Sequence, residues 1–210
     1  MVKNGLIALI VASASVEAAA GEAIFAGGSF WVMEALFAER TGVSQVEVGW
    51  IQASRTQTRR QVVRIQYDAK QINYGDLLGV YWAAIDATDR QGQYCDRGVE
   101  FSPALYVRTP LQQRWAQQSR TTQALALNKA QLAVRILPPG QFVKAPASQQ
   151  QYYQKHPWLY ANYRWRCGYP SEKVSGQVQQ SSAPLATTAL FESQFQLPNL
   201  NLVPAPDTAR

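Results

Sequence analysis

The sequence predicts an α+β fold in which helices cover a single β-sheet, and three observations support this class. Short runs in which apolar and polar residues alternate indicate half-buried strands, and longer runs with helical spacing lie between them. The length of 210 residues suits one domain with a sizeable core. A content of 11% aromatic residues, with six tryptophans, is typical of a chain that buries a core.

The first two predicted elements are a short strand and a helix. The strand covers residues 23–26 and ends at two glycines. Ser29 occupies the N-cap position of a helix over residues 30–40, which stops at Gly42. The backbone N–H groups and the dipole of a helix N-terminus favour negative charge, so a nucleophile at Ser29 would have its anion stabilised. The simpler interpretation is that Ser29 is only a good cap.

Two alternating strands come next. Their alternating residues are Ser44, Val46, Val48 and Trp50 in the first strand and Gln61, Val63, Ile65 and Tyr67 in the second. This pattern places Gln61 on the same face as apolar neighbours. A polar side chain on such a face must find a partner or line a cavity, unless the start of the strand reaches solvent.

A second helix and three further elements complete the series. Asn73 caps the helix, whose apolar residues at helical spacing are Leu77, Leu78, Tyr81, Trp82 and Ile85. A strand over 103–107, a long helix over about 110–129 and a strand over 132–136 follow. The first six elements read strand, helix, strand, strand, helix, strand, which is the split βαβ order of a ferredoxin-like sandwich.

The two ends of the chain are predicted to lie outside this domain, which covers residues 21–170. Residues 1–20 combine a charged start, a short apolar run and a cleavage region of small residues, as a secretory signal peptide does. The apolar run is too short to span a membrane readily, so we expect cleavage near Ala20 and no stable membrane span afterwards. The mature protein is then expected to be exported, either to the periplasm or out of the cell. In such an oxidising compartment a disulfide between Cys95 and Cys167 is plausible.

Residues 171–210 are rich in Ser, Gln, Ala, Thr and Pro and carry few charges. This composition predicts a disordered tail. The alternative is a tail that wraps the domain through Leu190, Phe191 and Phe195.

Composition also excludes several classes of function. One histidine, His156, and two cysteines are too few ligands for a Cys/His zinc site, so no metal is expected. The formal charge is +6, but the 20 basic residues are scattered, and no nucleic-acid partner is expected. A basic surface for nucleic acid or anionic lipid remains a weak alternative, carried by the tightest cluster, Arg55, Arg59, Arg60 and Arg64.

Four segments in chain order carry a family resemblance. They read AIFAGGSFWVMEALF, VRIQYD, DRQGQYCDRGVEFSPALY and YYQKHPWLYANYRWRCG. They resemble successive blocks of the A-type peptide methionine sulfoxide reductases and span about residues 23–168. The resemblance implies the ferredoxin-like α+β fold, in agreement with the order of the elements.

The resemblance implies reduction of the S epimer of methionine sulfoxide, free or in proteins, which repairs oxidative damage. In this family a cysteine at a helix N-terminus attacks the sulfoxide sulfur and becomes a sulfenic acid. An acidic side chain and a tyrosine assist protonation of the sulfoxide oxygen, and a resolving thiol forms a disulfide. Thioredoxin or another thiol reductant then regenerates the enzyme, so the resemblance implies no bound cofactor.

Three positions depart from the family pattern. The resemblance places Ser29 where the family has its nucleophilic cysteine, Gln61 where it has the acid, and Phe101 where it has the tyrosine. The polar stretch that lines the mouth of the site is represented by residues 146–150, without an acid or a histidine.

Other positions match the family. Asp96 corresponds to the family aspartate of the middle block. The aromatic seat for the substrate methyl group falls on Phe30 and Trp31, and Trp50 replaces a family tyrosine. Glu34 matches a position on the first helix, where we expect a structural role.

These departures predict an exported family member with impaired catalysis, a pseudoenzyme that keeps an aromatic pocket for methionine or methionine sulfoxide. A serine hydroxyl without a base is a poor nucleophile and cannot become a sulfenic acid. The alternative is an active reductase in which Cys95 attacks, Cys167 resolves and a thioredoxin-like reductant regenerates the pair. The preferred interpretation of the two cysteines is a structural disulfide, which would stabilise the fold by up to about 4 kcal/mol.

Overall fold

The computed structural model describes residues 20–52 and 59–170, so the predicted tail and nearly all of the predicted signal peptide lie outside the described residues. The strands are β1 (Ala20–Ala26), β2 (Val43–Gln52), β3 (Arg60–Asp68), β4 (Gly92–Gln93), β5 (Asp96–Arg97), β6 (Ala104–Tyr106), β7 (Arg135–Leu137) and β8 (Gln141–Lys144). The helices are α1 (Phe30–Ala38), α2 (Tyr74–Ala84), α3 (Pro110–Ala126), α4 (Tyr152–Lys155) and α5 (Pro157–Cys167). A short 3₁₀ turn, Val99–Phe101, precedes β6.

The main sheet has six strands in the order β7-β6-β1-β3-β2-β8. Strand β1 pairs antiparallel with β3 and β6, and β2 pairs antiparallel with β3 and β8. The parallel pair is β6 with β7. The four strands of the predicted βαββαβ unit therefore form the centre of the sheet, and the ferredoxin-like prediction is confirmed.

The core lies between this sheet and helices α1 and α2. Phe25 of β1 is fully buried, and its ring centroid lies 5.7 Å from that of Phe37 and 5.3 Å from that of Tyr81. Because successive side chains of a strand point to opposite faces, the neighbours Ile24 and Ala26 belong to a second apolar cluster on the other face.

The cap of α2 was predicted correctly. The Asn73 side chain accepts a hydrogen bond from the backbone N–H of Asp76, and the Asp76 carboxylate accepts one from the N–H of Asn73. This reciprocal pair is a capping box, which satisfies two N–H groups that the helix itself cannot use.

Two predicted boundaries on the C-terminal side were wrong. The long helix ends at Ala126 and not near residue 129, because Asn128 adopts a left-handed conformation with φ 50°. The last predicted strand begins at Arg135 and not at residue 132. The N–H of Ala133 donates to the carbonyl of Ala87, so this part of the chain is not available for pairing with β6.

Five of these strands and helices were not predicted as such. They are the paired strands β4 and β5, edge strand β8 and helices α4 and α5. Within the described ranges, no helix is both long enough and apolar enough to cross a membrane.

Candidate functional site

Ser29 lies at the turn that joins β1 to α1, and it is nearly buried. Its backbone is extended, with φ −64° and ψ 133°, as expected for an N-cap residue. Its side chain makes no capping hydrogen bond, however. The predicted position of Ser29 is therefore confirmed, but the interpretation of its hydroxyl as the cap is wrong.

Side chains and a carbonyl from elsewhere in the chain satisfy the backbone of residues 28–30, called here the helix corner. Three successive N–H groups of the helix corner each donate to a different partner. The bonds run from Gly28 to the carbonyl oxygen of Phe101 (2.9 Å), from Ser29 to Oδ2 of Asp96 (2.9 Å) and from Phe30 to Oε1 of Gln61 (3.0 Å). The structure thus brings together the four positions that the resemblance assigned to catalysis.

The Gln61 side chain has the partner that its place on an apolar face of β3 requires. Gln61 and Asp96 each accept a hydrogen bond from one N–H group at the positive end of the α1 dipole. An anion on the side chain of Ser29 could not use these N–H groups, because oxygen atoms of the protein already accept from them.

Asp96 also binds two tyrosines that the sequence analysis did not assign to the site. The hydroxyl of Tyr169 donates to Oδ2 of Asp96 (2.6 Å), and the hydroxyl of Tyr163 donates to Oδ1. Burial first, and then the hydrogen bond and the negative charge of Asp96, raise the pKa of both phenols well above the ordinary value. Both tyrosines are therefore hydrogen-bond donors at neutral pH.

The aromatic residues of the predicted seat divide into two groups. The rings of Phe30 and Trp50 meet edge to face with centroids 5.5 Å apart, and the guanidinium of Arg59 lies 3.7 Å from the centroid of Trp50. Trp31 packs instead against α4 and α5, with its ring centroid 4.9 Å from that of Tyr152 and 5.0 Å from that of Tyr163. Trp31 and Trp50 are half-buried, so each retains an accessible surface.

A disulfide joins Cys95 to Cys167, with their Cα atoms 5.3 Å apart. It links the turn between β4 and β5 to the end of α5, and so fixes the segment of Asp96 next to the segment of Tyr163 and Tyr169. The predicted disulfide is confirmed, and since the chain has two cysteines, it leaves no free thiol.

Glu34 has a structural position on α1, as expected. Its Oε1 accepts the N–H of Gln151 (2.8 Å), while its buried Oε2 has no partner within the described residues. Burial raises the pKa of Glu34, and the backbone amides of Gln151 and Tyr152 oppose that shift. The same segment is held by Gln150, which bonds both the N–H and the carbonyl of Val48.

In the part of the chain that the structure describes, no group of three or more His, Cys, Asp or Glu side chains is placed to hold a metal ion. His156 lies between α4 and α5, with its ring centroid 4.3 Å from that of Tyr152.

Gly28 is required by the geometry of the helix corner. Its φ of +89° is unfavourable for other residues, and an added Cβ would lie 3.0 Å from the hydroxyl of Tyr169 and 3.1 Å from Cβ of Gln93. We expect Gly28→Ala to lower the free energy of unfolding by about 1–3 kcal/mol, measured by urea denaturation.

Gly79 provides the matched control for this prediction. It lies inside α2, and apart from the backbone of that helix no atom of the described residues lies within 4 Å of an added Cβ. Gly79→Ala should raise the free energy of unfolding by about 0.5–1 kcal/mol. Equal effects of the two substitutions would contradict the role given to Gly28.

Sequence comparison identifies the family. The family model for peptide methionine sulfoxide reductase matches residues 21–181. Peptide methionine sulfoxide reductase MsrA 2 of Caulobacter vibrioides is 37% identical over 157 residues, which are 70% of this chain and 80% of the relative. The MsrA protein of Bacillus licheniformis is 34% identical over 154 residues, or 68% and 85% of the two chains. The chain therefore belongs to the peptide methionine sulfoxide reductase family.

The named relatives are more specifically MsrA proteins, the A type, and similar solved structures support the fold. Mxr1 of Saccharomyces cerevisiae in reduced form matches with a TM-score of 0.62 and 17% identity, covering 66% of this chain and 87% of its own. Methionine sulfoxide reductase A of Corynebacterium diphtheriae matches with a TM-score of 0.56 and 24% identity, covering 68% and 77%. Members of the family depend on thiol reductants such as thioredoxin and not on a bound cofactor. The assignment of individual roles to Ser29, Gln61, Asp96 and Phe101 stays a prediction.

Proposed function

We propose that this chain is an exported member of the family that binds methionine or methionine sulfoxide, in proteins or free, without reducing the sulfoxide. The observation that carries the proposal is the helix corner, where position 29 carries the hydroxyl of a serine while the chain's two thiols are joined in a disulfide. Reduction of a sulfoxide by the family route needs a thiol that can become a sulfenic acid, and an alcohol cannot.

Proton delivery is also impaired in this arrangement. Gln61 can donate a hydrogen bond but cannot give up a proton, and the ring of Phe101 has no donor. The hydroxyls of Tyr163 and Tyr169 already donate to Asp96, and their raised pKa makes them weak acids. A bound sulfoxide oxygen would therefore be hydrogen-bonded and not protonated.

The same residues support binding. The half-buried Trp50, next to Phe30, offers an aromatic surface on which a thioether and its methyl group pack favourably. Gln61 uses Oε1 to accept the N–H of Phe30, so its amide NH₂ group is the part of the side chain that can donate to a sulfoxide oxygen.

The alternative function is an active reductase that uses Cys95 and Cys167. Cys95 is exposed and adjacent to Asp96, so a thioredoxin-like reductant could reach the disulfide. After reduction of that bond, the Cys95 thiolate would attack the sulfoxide sulfur and take its oxygen as a sulfenic acid, releasing methionine. Cys167 would then displace water and restore the disulfide. The position of Ser29, and not Cys95, at the N-terminus of α1 favours the binding function.

One experiment separates the two functions. The purified protein is mixed with a peptide that contains methionine S-sulfoxide, with and without dithiothreitol, and turnover and binding are measured in parallel. We expect saturable binding by calorimetry and no turnover above the reaction without protein. Trp50→Ala should weaken binding by at least about tenfold, while Trp158→Ala, at an exposed position of α5, should leave it unchanged. Turnover that disappears in Cys95→Ser would overturn the proposal.

Export is tested separately. Expression of the chain from Met1 should yield a protein in the periplasm or medium that begins near residue 21, as read by N-terminal sequencing. Recovery of the intact N-terminus from the cytoplasm would contradict this part of the proposal.

A further inference from the structure

A long part of the chain contains no acidic residue. Residues 101–171 carry nine Lys and Arg and no Asp or Glu, whereas the rest of the chain carries eleven basic and fourteen acidic residues. The positive charge is thus concentrated in the half of the domain that supplies α3, β7, β8, α4 and α5. Cations in this half have no side-chain carboxylate of their own segment with which to pair.

A cavity of about 920 Å³ opens along this half, beside α3, β7 and the segment that joins them. This volume is within the usual range for small-molecule sites. The cationic residues that line it are Arg60, Arg90, Arg120, Lys129 and Arg135. No Asp or Glu is among the described residues of the lining, and Ser29 does not contribute to it.

Arg60 is the buried cation of this cavity, with 5% of its surface exposed. Its Nε donates to Oγ of Ser102 (2.9 Å), and Ser102 in turn donates to the carbonyl of Val99 (2.6 Å). The guanidinium also interacts with the hydroxyl of Tyr106. All of these partners are neutral.

None of the five cations forms an ion pair with another described residue. The ion pairs in residues 20–52 and 59–170 are Arg64–Glu47, Lys144–Glu47, Arg97–Asp89 and Arg108–Glu22. A guanidinium cannot lose its proton in a protein, so burial of Arg60 without a counter-ion has a cost in free energy. An anionic ligand would offset that cost.

The lining also has an apolar part. Its aliphatic residues include Leu125, which is exposed, and the half-buried Leu132, Ile136 and Leu137. A cavity with cations at one part of its wall and aliphatic side chains at another fits a ligand with a charged group and an apolar portion.

We propose that this cavity binds a phosphate-bearing ligand, with the phosphate against the guanidinium groups and an apolar portion against the leucines. Arginine presents a planar fork of N–H donors that matches phosphate oxygens, and several unpaired cations suit a group with more than one negative charge. The phosphate is that of a soluble compound or of a lipid headgroup. The site is independent of the proposed methionine site, since Arg60 and Gln61 are consecutive on β3 and their side chains lie on opposite faces.

Calorimetry with two probes tests the proposal on the full protein. The probes are inorganic pyrophosphate and a short-chain phosphatidic acid below its micelle concentration. We expect saturable binding of at least one probe, weakened by salt. Binding of the phosphatidic acid that is at least about tenfold tighter than that of pyrophosphate supports contact with the leucines and assigns the site to a lipid headgroup. Binding of pyrophosphate that is equally tight or tighter assigns the site to a soluble phosphate and contradicts the role given to the leucines. Failure of both probes to bind would overturn the proposal.

Variants locate the binding in the cavity. Arg60→Met and the double variant Arg120→Gln/Arg135→Gln should each weaken binding by at least about tenfold. Arg114→Gln, on the same helix as Arg120 but outside the lining, is the matched control and should bind as the unaltered protein does. The double variant changes exposed side chains, so it should fold even if Arg60→Met does not. In that case the double variant alone tests whether the ligand binds in the cavity. Unchanged binding by the double variant would contradict the site.

Discussion

The combined variant Ser29→Cys, Gln61→Glu and Phe101→Tyr is expected to reduce methionine S-sulfoxide at least about 100-fold faster than the reaction without protein, a rate that the unaltered chain should not exceed. The helix corner can accept all three changes. A glutamate at position 61 still offers an oxygen to the N–H of Phe30, and the bond from Gly28 uses the backbone carbonyl of Phe101, which a change of its ring leaves in place. The new thiol would stand at the helix N-terminus.

The reaction of this variant needs an added dithiol. The thiolate attacks the sulfoxide sulfur, the oxygen moves to the attacking sulfur as a sulfenic acid, and methionine is released. Two thiols of dithiothreitol then reduce the sulfenic acid to the thiol and water, with formation of the cyclic disulfide. Release of methionine from a peptide substrate is followed by mass spectrometry.

The matched control keeps Gln61→Glu and Phe101→Tyr but carries Ser29→Ala. It should be inactive, because the proton donors alone cannot accept the oxygen. A combined variant that neither turns over nor binds the sulfoxide would show that the aromatic pocket is not preserved, and the proposed function would then be wrong.

Removal of the disulfide should have the largest effect on stability. The bond joins residues 72 positions apart, and in the chain-entropy model such a cross-link stabilises the folded state by about 4 kcal/mol. Cys95→Ser, Cys167→Ser and the double variant should each lower the free energy of unfolding by about 2–4 kcal/mol, measured by urea denaturation without reductant.

Reductant supplies the control for this prediction. Dithiothreitol should destabilise the unaltered chain to the level of the double serine variant and should leave that variant unchanged. The same unfolding midpoint for the oxidised and the reduced chain would contradict a structural role for the disulfide.

Much of the fold could be predicted from local patterns. The central strands have clear alternation, and Asn73 followed by Asp76 is a capping box that can be read directly. Helix α5 could not be found in this way because its aromatic residues face both the core and the solvent. Tyr160 is buried, while Trp158 and Trp165 are exposed, so the helix has no single apolar face.

The candidate site was only partly accessible to sequence reasoning. The resemblance placed Ser29, Gln61, Asp96 and Phe101 in one site, and the structure brings these four together. The bonds that join them involve backbone atoms of the helix corner and of Phe101, and side-chain patterns carry no information about such bonds.

Tyr163 and Tyr169 were missed for a different reason. Their hydroxyls reach Asp96 from positions 67 and 73 residues away in the chain. For Tyr163 the available signal was the aromatic-rich segment before Cys167, which the resemblance identified as a family block without assigning this tyrosine a role. Tyr169 lies two residues beyond Cys167, just outside that block.

The helix corner also has a consequence for the order of folding. Its N–H groups are held by partners 31 and 67 residues further along the chain, so these contacts have a high loop-closure entropy and are expected to form late. During synthesis on the ribosome, β1 and α1 emerge long before the segment that contains Asp96 and Phe101. The start of α1 in a nascent chain would therefore lack two of its three partners, Asp96 and Phe101, until translation has passed residue 101. Truncated chains that end before this residue should be early targets for chaperones and proteases.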